Sequence, residues 1–158
     1  MMSVYLAGAM EFAHDGGIGW RADITRWLSE VLGHRALDPT IFEHDQLTDA
    51  ERASIKGLKE AGDFDAIRRL AARIVHYDAR LLLEQSDYVV CLWNEATQRG
   101  CGSAGEITLA AWAGKPVHLL LDYPADRAST WMIGCTTTIH HDWHELKSTL
   151  IARYRSPR

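Results

Sequence analysis

Short apolar runs alternate with longer stretches of helical periodicity along this chain. The run Val4, Tyr5, Leu6, Ala7 stops at Gly8 and reads as a buried strand. A glycine-rich loop (Asp15, Gly16, Gly17, Ile18, Gly19) leads to Trp20, Ile24, Trp27, Leu28, Val31 and Leu32. These recur at spacings of three and four, as on one helix face, and Gly33 supplies the stop. Arg35, Ala36 and Leu37 make a second short strand closed by Asp38 and Pro39. Residues 48–84 read as mostly helical. Gly62 divides them, and Asp63 is placed to cap the second helix, which carries Ile67, Leu70, Ile74, Leu81 and Leu82. Residues 88–93 are apolar throughout, the pattern of a parallel strand covered on both faces. A polar loop is expected over 94–105, then a helix over 106–113 ending at Gly114 and a strand over 116–121. A β-branched strand over 136–139 precedes a last helix, capped by Asp142, with Trp143, Leu146, Leu150 and Ile151 as its apolar positions. Strands alternating with helices predict an α/β fold whose parallel sheet is covered on both faces. Ligands of such sheets sit at the carboxyl ends of the strands, here the segments after Ala7, Leu37, Trp93 and Leu121.

Composition narrows the class. The 158 residues fit one domain, 1–158, at roughly 150 residues per domain. A hydrophobic content of 47% is enough to bury a core and excludes disorder for most of the chain. The longest uncharged apolar run, 88–93, falls far short of the roughly 20 residues of a membrane helix. No basic segment precedes an apolar one at the start, so no signal peptide is expected. Cys91, Cys101 and Cys135 read as reduced thiols of a cytoplasmic protein. A net charge of −4 gives no electrostatic footprint for a nucleic-acid backbone.

Candidate chemistry clusters after the first and third strands. Gly8, Ala9 and Met10 leave room for a ligand to approach the backbone. Tyr5, in that strand, is a core aromatic or a site group. Gly100, Gly102 and Gly105 precede an expected helix start with Glu106 in its first turn. A helix N-terminus favours negative charge by about 0.3–1 kcal/mol. Glu106 is therefore expected to be ionised and able to attack an electrophilic sugar carbon; the alternative is that it completes a cap. The same glycines suit a small phosphate, but neither a P-loop ending nor GxGxxG is present. Asp78 is a site carboxylate or a surface one. Asp38 faces the site or serves the turn before Pro39. His140, His141 and His144 lack a further ligand at a familiar spacing and read as a solvated helix start. The basic tail, Arg153, Arg155 and Arg158, reads as a solvated terminus. Trp20, Trp27, Trp112 and Trp143 fit the core faces of helices; Trp93 and Trp131 flank the site loops, where an aromatic could stack on a base, with packing the favoured role for each.

Taken in order, these segments resemble the nucleoside 2-deoxyribosyltransferase family, a flavodoxin-like group that includes deoxynucleotide N-hydrolases. Residues 4–10 are similar to its opening YLAGP strand and loop. Asp78 to Asp87 resembles the paired aspartates ahead of its third strand. Residues 100–106, Ala110 and the run Gly114, Lys115, Pro116, Val117 resemble its G…GxE…A…GKPV signature. Residues 129–139 and the helix after them resemble its C-terminal turn and strand. The resemblance spans nearly the whole chain. It implies a three-layer sandwich with a mostly parallel five-stranded sheet and helices on both faces. It implies that Glu106 attacks C1′ of deoxyribose, that Tyr5 orients Glu106 by hydrogen bonding, and that Asp78 contacts the base and handles its proton. Gly8, Met10, Arg21, Asp38, Asn94, Gly102 and Ser103 are the expected substrate contacts, with Arg21 and Ser103 placed to hold any 5′-phosphate. The implied partners are a small deoxynucleoside and a nucleobase, not a nucleic-acid polymer or a membrane, in a homo-oligomer without metal or cofactor. The chain departs from the family in three places. Cys101 and Ser103 stand where a threonine is common, Glu95 is the nearest counterpart of a second acid, and the insertion over 48–64 is long. The expected activity is base exchange through a glycosyl-Glu106 intermediate. The alternatives are an N-glycosidase of 2′-deoxynucleoside 5′-monophosphates and an inert nucleotide-binding module.

Overall fold

The computed structural model describes residues 1–155, with 42–45 as backbone only; Arg158 of the basic tail lies outside the described residues. Its elements are β1 (Ser3–Gly8), α1 (Ile18–Trp27), β2 (Arg35–Leu37), α2 (Pro39–Gln46), α3 (Asp49–Ala61) and α4 (Phe64–Arg80). There follow β3 (Tyr88–Asn94), α5 (Glu95–Arg99), α6 (Gly102–Trp112), β4 (Val117–Asp122), α7 (Thr130–Gly134), β5 (Thr138–His140) and α8 (Trp143–Tyr154). All strand pairs are parallel, in the order β2-β1-β3-β4-β5. This is the flavodoxin-like order, whose chain reversal falls between β1 and β3.

Alternation along the strands builds the two cores. Val4 and Leu6 of β1, Tyr88 and Val90 of β3 and Leu120 of β4 pack against Ile24 and Leu28 and against Leu146 and Leu150 of α8. Tyr5, Ala7, Val89, Cys91, Trp93, Leu119 and Leu121 point the other way, onto Ile107 and Ala110 of α6, Leu81, Leu82 and Met132. A central strand buried on both faces has no polar side to show, which explains the unbroken apolar run of β3. Each fully buried Leu or Val contributes about 1.5–3 kcal/mol to holding the layers together.

Helix ends follow their capping chemistry. Asp63 accepts from the Ala66 amide and Asp142 from the Glu145 amide, both as expected. Thr48 and Glu51 form a capping box on α3. Gly62 separates α3 from α4 in a left-handed conformation, φ 68°.

Several expectations need correction. The turn expected after Ser129 is a helix, α7. His140, expected in a solvated helix start, is buried in β5 and hydrogen-bonds Thr138. Residues 94–105 are not a loop: Asn94 accepts from the Thr97 amide and starts α5, and α6 already begins at Gly102. Pro39 opens a short helix, α2, that the sequence pattern did not indicate. Trp112 is 92% exposed and Trp131 69% exposed, so neither is core. Ile107 and Ala110 take the inward side of α6, and position 112 falls about half a turn away from Ala110. No described helix is long and apolar enough to cross a membrane.

Candidate active site

The carboxyl ends of β1 and β3 meet the head of α6. Tyr5 is fully buried in β1, and its hydroxyl donates to Glu106 Oε1 at 2.6 Å, across 101 residues of sequence. That length is typical of a hydrogen bond to an ionised acceptor. Ser103 is buried one turn before Glu106 on α6, on the side from which it acts on that carboxyl group. Burial pushes the Glu106 carboxyl above its usual range, while Tyr5, the charge of Arg21 and Ser103 pull it back. Since α6 starts at Gly102, Glu106 lies in its second turn, not its first. The helix field fades within one turn, so these three neighbours are the groups that favour the carboxylate. Burial, then the charges of Glu106 and Asp78, push the Tyr5 phenol well above its ordinary value, so Tyr5 remains a donor at neutral pH. Asp78 is half-buried on α4, on the side from which its charge acts on Tyr5.

Four expected substrate contacts also serve the protein's own structure. Arg21 is 0% exposed. It donates to the carbonyls of Leu6 (3.3 Å), Gly8 (2.8 Å), Gly17 (2.9 Å) and Ala9 (3.4 Å). It also pairs with Asp38 at 3.6 Å, so its donors are not available to a phosphate. Asp38 itself accepts from the amide and the hydroxyl of Thr40, at 2.9 and 2.7 Å, and serves its turn. A Cβ on Gly8 would stand 2.8 Å from Trp20 Cζ2, so this glycine makes room for the indole. Asn94 is the α5 cap. Met10, half-buried in the loop after β1, and Gly102, exposed at the head of α6, stand at the carboxyl edge of the sheet.

Thr97 was not singled out in the sequence. It is buried in α5, and its hydroxyl accepts from the Ala9 amide (3.2 Å) while donating to the Leu92 carbonyl (2.9 Å), tying the loop after β1 to the end of β3. A threonine three residues past an Asn cap was its only signal. Glu11, in the first of these loops, pairs with Lys59 of α3. Arg99 lies over the Phe12 ring at 5.2 Å. Cavities of about 490 and 330 Å³ open around His34 and Tyr154, and around Trp20 and Trp143; neither is lined by Tyr5, Asp78 or Glu106. Among the described residues, no group of three His, Cys, Asp or Glu is arranged to hold a metal ion.

No family model matches the sequence, and no curated protein matches it. Among solved structures, the chain is similar to a 2-deoxyribosyltransferase from the psychrotolerant bacterium Bacillus psychrosaccharolyticus, with a TM-score of 0.62 at 20% identity over 99% of this chain and 98% of that one. The chain has the 2-deoxyribosyltransferase fold. A second such structure, from Leishmania mexicana, has a TM-score of 0.61 at 13% identity, over 98% of this chain and 99% of that one. Within this 2-deoxyribosyltransferase fold the residues named from sequence divide in two. Tyr5, Ser103 and Glu106 meet around one carboxyl group, with Asp78 acting on Tyr5. Arg21, Asp38, Gly8 and Asn94 build the loops beneath and beside it.

Proposed function

We propose that this protein transfers 2-deoxyribose between nucleobases through a glycosyl ester on Glu106. The observation that carries the proposal is the 2.6 Å bond from a buried tyrosine to a carboxylate at the sheet's chain reversal. The similarity to 2-deoxyribosyltransferases, one of them described as a biocatalyst for nucleoside synthesis, supports it.

The chemistry follows from the groups present. A carboxylate oxygen of Glu106 bonds to C1′, and the C1′–N pair leaves with the base. Asp78, as the acid, protonates the departing base, which makes it a better leaving group. The facing carboxylate stabilises the oxocarbenium-like transition state and then bonds to it, as in retaining glycosidases. A second base attacks C1′, its proton passes to Asp78, and the ester bond breaks with its electron pair returning to Glu106. The alternative acting on a 5′-monophosphate is weakened, because Arg21 is sealed from solvent and already engaged inside the protein. Exposed Leu109, Trp112 and Trp131 on neighbouring α6 and α7 support a homo-oligomer.

The test is chromatographic. The protein is incubated with a deoxynucleoside plus a different free base and, in parallel, with the matching 5′-monophosphate alone. A new deoxynucleoside, absent with Glu106→Ala, together with ping-pong kinetics, is the expected result. Free base from the monophosphate alone would replace transfer by N-glycosidic hydrolysis.

A further inference from the structure

The proposed mechanism makes no direct use of the fully buried guanidinium beneath the first site loop. We infer that Arg21 is a positioning residue for Glu106: it fixes the carboxyl end of β1, which carries Tyr5, and sets a positive charge behind the carboxyl group. This deepens the transfer reading and rests on it for its kinetic arm.

The first part follows from the hydrogen bonds. Arg21 reaches three carbonyls at the end of β1 and just beyond it, Leu6, Gly8 and Ala9, and that of Gly17 at the entry to α1. A planar guanidinium with five donors can serve that many directions at once; a lysine ammonium, with three donors on a flexible stem, cannot. Tyr5 lies one residue before the first of these carbonyls, so the clamp and the Tyr5–Glu106 bond share one strand end. Gly17 fits the same clamp closely: a Cβ there would stand 2.2 Å from the Ala9 oxygen and 2.3 Å from Arg21 Nη1.

The second part follows from burial and charge. Arg21 is sealed from solvent with the ring of Trp20 at 4.7 Å from its guanidinium carbon. Asp38 pairs with it, yet the charge of Arg21 still acts on Glu106, Tyr5 and Cys91. The groups facing Glu106 are Tyr5 from β1, Cys91 from β3, Arg21 from α1 and Ser103 from α6 itself, while Asp78 of α4 acts on Tyr5. Arg21 is the cation of this set, and Asp38 holds part of its field in check. Changing the two partners of the ion pair must therefore move the titration of Glu106 in opposite directions.

The experiment reads the carboxyl group directly. The protein is labelled with ¹³C at glutamate side-chain carboxyls, the Glu106 resonance is assigned by its loss in Glu106→Gln, and its titration is followed in Arg21→Lys, Arg21→Gln and Asp38→Asn. The expected midpoint moves up in Arg21→Gln, moves down in Asp38→Asn and moves up by less in Arg21→Lys, which keeps the charge but not the clamp. In the exchange assay, Arg21→Lys loses its clamp and kcat falls by roughly 10- to 100-fold with little change in KM. A residue that merely stabilised the fold would lower the melting temperature of all three variants and leave the midpoint in place, which overturns the inference. So does a shift of the same sign in Arg21→Gln and Asp38→Asn. If Arg21→Gln does not fold, the downward shift in Asp38→Asn, with its arginine retained, decides alone. Because the resonance is read without turnover, an inactive protein with opposite shifts would sink the transfer reading and keep this one.

Discussion

Replacing Tyr5 by Phe removes one hydrogen bond and little else. The ring is buried among Ala7, Leu37, Val89 and Ile107, and phenylalanine keeps that packing. What disappears is the donor 2.6 Å from Glu106 Oε1. Hydrogen bonds to charged groups contribute about 1.5–3 kcal/mol. The whole of that loss, expressed in the transition state, slows glycosyl transfer by roughly 10- to 150-fold, which sets the ceiling. Direction adds a second signature. Tyr5 is the first of the groups that hold the Glu106 carboxyl down against its burial, so without it the carboxyl group titrates higher still. The reactive carboxylate is then lost at a higher pH, and the acidic limb of the rate profile moves upward. The assay is the initial rate of base exchange, from mildly acid to neutral pH, for both proteins at matched concentration, with thermal melts as the control for folding. An unchanged rate together with an unmoved acidic limb would refute the reasoning and return Tyr5 to the core.

Two further outcomes follow from the geometry. Gly17→Ala and Gly62→Ala both place a side chain at positive φ, 75° and 68°, but only position 17 is crowded. Gly62→Ala is expected to cost about 1–2 kcal/mol, and Gly17→Ala roughly 1–3 kcal/mol more from the overlap; equal melting temperatures would contradict the crowding. His118 hydrogen-bonds Thr138 and Tyr154, and burial, with smaller contributions from Arg153 and His140, lowers its pKa to about 4. Protonation therefore favours the unfolded chain, where histidine titrates near 6.5. The stability from keeping His118 neutral is fully present above about pH 6.5 and is lost as pH falls toward about 4, by up to about 3 kcal/mol. Urea midpoints at the two ends of that window should differ more in the native chain than in His118→Asn.

Much of the fold was legible because its signals are local. β3 announced itself as an apolar run, and Gly62, Asp63 and Asp142 stood where caps and breaks belong. Three short helices escaped notice: α2 and α5 begin on Asp38 and Asn94, residues equally at home in turns, and the five-residue α7, capped by Ser129, is too short to show a periodicity. Trp112 was misplaced because a helix face can be read from spacing only when the register is anchored, and here Ile107 and Ala110 anchor it elsewhere. In the site, Tyr5 and Glu106 were legible as a pair only through the family resemblance, since 101 residues separate them. The inward turn of Arg21 depends on Trp20 covering it and on four carbonyls that exist as a set only in the folded loop. Neither leaves a trace in spacing or composition.

The indole that occupies the space above Gly8 also constrains how the chain can vary. A methyl group at position 8 would meet Trp20 Cζ2 at 2.8 Å and come within 3.5 Å of Arg21 Nη2. Enlarging residue 8 first is therefore blocked, whereas shrinking residue 20 first leaves a gap that a larger residue 8 can then fill. The two positions form a ratchet with a permitted order of change. The double variant Gly8→Ala, Trp20→Leu should be more stable than the sum of its single variants, because each change removes the fault the other creates.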